Sequence, residues 1–73
     1  MLPTKLHSIF DSVIKGEILE VRVNEYDDCD SYLLAAKIDG DHVIFNVIDY
    51  EDGIVEIRDS ESEIIWSGRF GEL

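Results

Sequence analysis

The sequence predicts an α+β fold: an N-terminal amphipathic helix packed on a four- to five-stranded antiparallel meander sheet, with curling into a half-barrel as one way to hide the second sheet face. Two observations carry this. Apolar residues recur with a helical period up to Gly16 and with a period of two after it, and an Asp39-Gly40 pair stands between two apolar runs. The third observation is size. With 73 residues, 45% of them hydrophobic, there is material for one modest core, and residues 1–73 are read as a single small acidic domain.

In "TKLHSIFDSVIKG" Leu6, Ile9, Phe10, Val13 and Ile14 fall at the spacing of an apolar helical stripe, predicting a helix over 4–15. Thr4 is placed to cap its start and Gly16 to end it in the left-handed conformation. "EILEVRV" then alternates Leu19, Val21 and Val23 against Glu20 and Arg22, the pattern of a strand with one buried face.

Asp39-Gly40 is the pair expected for a two-residue type I′ hairpin. With that turn, Ile38 faces Asp41, Ala36 faces Val43, Leu34 faces Phe45 and Tyr32 faces Val47, so one face is strongly apolar. The other face carries Leu33, Ala35, Ile44 and Ile48 beside Lys37, His42 and Asn46, and it too needs cover. "EDGIVEIRD" gives a turn and a strand with Val55 and Ile57 on one side, and "SEIIWSG" a last short strand, with Gly68 and "RFGEL" closing the chain. No repeat, linker or low-complexity segment interrupts this order.

Net charge is −11, and it is regional. Residues 25–63 hold 13 acids against Lys37 and Arg58, whereas the remainder balances to zero. Phosphate contacts need Lys and Arg, so direct nucleic-acid binding is not expected, and an anionic membrane surface would repel the same residues. A basic partner fits better. The apolar runs, such as residues 43–45, are too short to cross a bilayer and the first turns lack a signal-peptide core, which reads as a cytoplasmic protein, in the host cytoplasm if phage-encoded.

"NEYDDCDSY" concentrates Glu25, Asp27, Asp28 and Asp30 around the one cysteine, Cys29. A calcium loop starting at Asp28 would need an oxygen donor where Tyr32 stands, glycine where Leu33 stands and glutamate where Asp39 stands, so no metal or other cofactor is expected. A single cysteine gives no disulfide or four-cysteine zinc framework, and flanking Asp28 and Asp30 disfavour its thiolate. His7 and His42 pair with neither Ser nor Cys at local spacing. No catalytic residue is assigned, and the chain is read as a non-enzyme.

A meander places alternate connections at the same end of the sheet. Glu25, Asp27, Asp28 and Asp30 then share an end with Asp49, Glu51 and Asp52, while Asp39 and Asp41 share the other with Asp59, Glu61 and Glu63. Seven-residue strands would separate these ends by about 23 Å, with Glu56 between them. Such an arrangement offers carboxylates in place of phosphates. In size, charge and fold type the chain resembles three groups of protein inhibitors: phage anti-CRISPR and anti-restriction proteins, uracil-DNA glycosylase inhibitors, and immunity proteins that neutralise nucleases. That resemblance implies a DNA mimic that blocks a basic nucleic-acid-binding protein or nuclease. The placement of the acids on the meander gives the expected partner-binding residues: Glu25, Tyr26, Asp27, Asp28, Asp30, Asp49, Tyr50, Glu51, Asp52 and Glu56. Tyr26, Tyr50 or Trp66 would be the anchors that slow dissociation, although each also reads as ordinary sheet packing. The alternative is a non-catalytic interaction or assembly module, with acidity serving only solubility and the apolar sheet face forming a homodimer.

Overall fold

A computed structural model describes residues 2–69. One helix, α1 (Thr4–Val13), precedes five strands: β1 (Glu17–Glu25), β2 (Cys29–Ile38), β3 (Asp41–Tyr50), β4 (Ile54–Arg58) and β5 (Ile64–Arg69). They form one antiparallel sheet in the order β1-β2-β3-β4-β5, a meander that does not close. The protein is therefore mostly β, with a short helix, which is compatible with the α+β expectation. Residues 70–73, most of the "RFGEL" tail, lie outside the described residues. Among those described, no helix is long and apolar enough to cross a membrane.

The β2–β3 hairpin has the expected register. Asp39 and Gly40 take φ of 51° and 87°, the two positive values a type I′ turn demands, and Ile38↔Asp41, Ala36↔Val43, Leu34↔Phe45 and Tyr32↔Val47 are Cα partners. Alternation then puts Tyr32, Leu34, Ala36, Phe45 and Val47 on one face, where all are buried; Val55 and Ile57 of β4 extend it. Leu2, Leu6, Ile9 and Phe10 complete the core, with the Phe10 and Phe45 rings meeting edge to face at 5.5 Å. Trp66 packs on the margin of this core as a half-buried sheet residue, its indole over Gly68.

Three local details differ from the sequence reading. The helix ends two residues early: Ile14 N–H still bonds the Phe10 carbonyl, but Lys15, not Gly16, takes the left-handed φ of 58°. Gly16 is needed for space instead, because a Cβ there would lie 2.7 Å from Ile38 Cγ1 and 3.2 Å from the Lys37 carbonyl oxygen. At the other end Thr4 is already helical, Pro3 holds the cap position and no side chain caps the helix. In β1 the register shifts between Ile18 and Glu20, so Leu19 is a bulge residue. Ile18, rather than Leu19, joins Val21 against the core; Leu19 is exposed, as is Val23 although it pairs with Tyr32.

Strand lengths also change the expected spacing. β2 and β3 have ten residues each, so at roughly 3.3 Å per residue their ends are about 33 Å apart rather than 23 Å. β4 stops at Arg58, opposite Asn46, while β3 reaches back to Asp41. The Asp59–Glu63 connection therefore falls short of the Asp39-Gly40 tip, by about 16 Å on the same rise, and these acids do not share one end.

The close approach of Gly16 to β2 predicts a specific coupling. Gly16→Ala should destabilise the fold by about 1–3 kcal/mol through overpacking. The cost should shrink in an Ile38→Ala background, which removes the atom the new methyl meets. Urea titrations of the four proteins in this cycle measure it; equal costs in both backgrounds would contradict the packing argument.

Candidate functional site

The two acidic connections expected at one end are joined there. In the β1–β2 turn Tyr26 N–H bonds the Cys29 carbonyl at 2.9 Å, and in the β3–β4 turn Gly53 N–H bonds the Tyr50 carbonyl at 3.1 Å. Gly53, with φ of 93°, supplies the left-handed residue of that three-residue loop. Between the turns, Glu51 N–H donates to the Asp28 carbonyl at 3.1 Å. The result is an open cleft of about 480 Å³ whose lining includes Tyr26, Asp27, Asp28, Asp30, Asp49, Tyr50 and Glu51, seven of the ten residues singled out from the sequence.

Register explains where the charges point. Glu25 is the Cα partner of Asp30, and Asp30 of Asp49, so three carboxylates stand in one cross-strand row on the helix side of the sheet. Tyr32 follows on the same face, and its hydroxyl pKa is pushed above the ordinary 10.0 by burial first and then by the charges of Asp30, Asp49 and Glu25. Directly opposed like charges each cost a few tenths of a kcal/mol or more, up to about 1 kcal/mol. Lys5, from the first turn of α1, lies 3.6 Å from Asp49, but its side chain is half exposed and such a pair returns about 0–1 kcal/mol.

Two other candidates serve the fold directly. Asp52 Oδ1 accepts Ile54 N–H at 3.1 Å and so shapes the β3–β4 turn. Glu56 lies on the opposite sheet face, where its carboxylate accepts the Tyr50 hydroxyl at 2.9 Å and the Arg58 guanidinium at 3.1 and 3.2 Å. The phenol of Tyr50 is accordingly raised above 10.0, first by that hydrogen bond and then by burial. Tyr50 is thus held in place, whereas Tyr26, 61% exposed at the turn, offers its ring outward.

The sequence reading missed Lys5 and Gly53 in the lining. Gly53 had a local signal in "EDG"; Lys5 had none, because only the packing of α1 brings it there. Cys29 also lines the cleft, and its thiol is pushed above 9.0 by burial, then by a hydrogen bond with Asp28 and the charges of Asp28 and Asp30. That lowers the thiolate fraction at neutral pH. Among the described residues no group of three His, Cys, Asp or Glu is arranged to hold a metal ion. Comparisons with family models, curated proteins and solved structures gave no match.

The tyrosines give the site a measurable alkaline signature. Tyr32 and Tyr50 hold their protons more tightly folded than unfolded, so their contribution is complete below pH 10 and is lost as pH rises past 10 through the folded values. Stability from urea midpoints should decline from pH 10 upward. Tyr50→Phe should make that decline shallower, and an unchanged slope would contradict the Tyr50–Glu56 bond.

Proposed function

We propose that this protein is a small non-catalytic inhibitor that binds a basic nucleic-acid-handling protein and occupies its DNA or RNA site by charge mimicry. The observation that carries the reading is the joined pair of acidic turns: five carboxylates, Asp27, Asp28, Asp30, Asp49 and Glu51, line one cleft with Lys5 as the cation among them. A cationic surface is the partner chemistry that complements such a concentration of carboxylates. Acids at the exposed end speed encounter, and exposed Tyr26 is the anchor best placed to slow dissociation. Glu56, committed to Arg58 and Tyr50, contributes by holding Tyr50 rather than by mimicking a phosphate.

This reading takes α1 as amphipathic, its apolar side on the sheet, and the sheet as curled toward a half-barrel, which would gather the turns at one rim. Bulges in the β1–β2 and β4–β5 ladders support the curl, since bulges increase local twist. The ten-residue hairpin supports a second contact region about 33 Å away at Asp39 and Asp41, at roughly 3.3 Å per residue. A phage anti-defence role, such as anti-CRISPR or anti-restriction, uracil-DNA glycosylase inhibition or nuclease immunity would each use this mechanism, acting in the cytoplasm.

The test is affinity capture from host lysate with the native chain and with an Asp27→Asn, Asp28→Asn, Glu51→Gln variant, followed by DNA- or RNA-binding assays on what is captured. Native protein should retain a nucleic-acid-binding protein at low salt, release it at about 0.5 M salt, where screening lengths fall to a few Å, and compete with nucleic acid for it. The variant should fold normally, because the joint between the turns uses backbone atoms, and should associate at least about tenfold more slowly. Capture that survives both changes would refute charge mimicry.

A further inference from the structure

We infer that the sheet face turned away from α1 is a self-association surface, and that its occupant is a second copy of this chain packed face to face. An antiparallel sheet with one solvated face normally carries polar residues there. Here the two central strands carry an apolar patch on that face: Leu33 and Ile44 are 41% and 43% exposed, with Ala35 and Ile48 beside them, while Ile64, 50% exposed, stands apart on the edge strand β5 beyond Asn46 and Arg58. A shallow hollow of about 170 Å³ is lined by Leu33, Ala35 and Ile44 with Glu20 and Arg22.

Charge argues for the occupant. By register this face carries Arg22, Lys37, Arg58 and Arg69, four of the six Lys and Arg in the sequence, against Glu17, Glu20 and Glu56. It is close to neutral in a protein of net charge −11, and both signs already stand together in the Glu20–Arg22 and Glu56–Arg58 pairs at 3.4 and 3.1 Å. Two copies meeting through their acidic ends would repel; two copies meeting here bring nearly balanced surfaces together. Size agrees. Strands about 4.8 Å apart and rising roughly 3.3 Å per residue give the face a footprint of at most about 650 Å² per copy, just reaching the lower bound of specific interfaces at about 600 Å² per partner.

The experiment is sedimentation equilibrium on the purified full chain up to about 300 µM, above the micromolar constants that modest interfaces reach. A dimer is expected, and its fraction should rise with salt, because screening weakens repulsion between two acidic chains. Capture of a basic target should instead weaken with salt, so failure here and failure of the proposed function are distinguishable. Leu33→Lys and Ile44→Lys should each raise the dimer dissociation constant at least about tenfold, while Leu19→Lys, on the β1 bulge at the sheet edge, should leave it unchanged. Far-UV spectra check that the variants fold, and Ile64→Lys on the same face repeats the test should either fail to. A chain that stays monomeric throughout the range, or a dimer broken by Leu19→Lys but not by the face variants, would overturn the inference.

Discussion

The positive φ angles of Asp39 and Gly40 fix which side of the sheet each residue of the two central strands occupies, and the other elements depend on that choice. Shifting a strand by one residue reverses its faces. At the middle of β2 hydrophobicity hardly distinguishes the two faces, because "LLAA" offers Leu33 and Ala35 as near-equivalents of Leu34 and Ala36; Tyr32 and Ile38 against Ser31 and Lys37 favour the observed one. The tie is broken by the two-residue turn, which pins Ile38 opposite Asp41, and by β3, whose Phe45 fits edge-on to Phe10. Once Tyr32 and Phe45 face the helix, Glu25, Asp30 and Asp49 must stand on that side of the sheet at its far end. Core packing and the acidic row are thus two results of one register.

The same register divides the charge. Acids collect in connections and at the strand ends beside them; in the turns, Asp52 and Asp59 accept backbone N–H groups of Ile54, Glu61 and Glu63. The strand cations collect on the outer face, where Arg58 bridges Glu56 and the Ser62 carbonyl. A strongly acidic small protein is consequently acidic at its ends and nearly neutral across one broad side. Net charge alone conceals that polarity.

How much of this was legible in the sequence follows from how local each cause is. The β2–β3 register is encoded by adjacent Asp39 and Gly40, and Val55 with Ile57 by simple alternation, so both could be read directly. The grouping of the two acidic turns required only that the strands run as a meander. The Leu19 bulge was not legible, because "LEVRV" alternates without a break and no glycine or other local signal marks the extra residue. Nor was the place of Lys5, which depends on where α1 lies over the finished sheet. Glu56 looked like one more acid on a negative surface; its cross-strand setting, beside Tyr50 and Arg58, made it a structural acceptor.

The hydrogen bond from Glu51 N–H to the Asp28 carbonyl has a further consequence for how such a surface changes over generations. It joins the two turns through main-chain atoms, and any residue except proline at position 51 can supply the donor. Side chains at 27, 28 and 51 can therefore be exchanged without dissolving the joint that holds them together or disturbing Phe10, Leu34 and Val47 below. Substitution can revise the charge and shape of this acidic end while the scaffold beneath it stays constant.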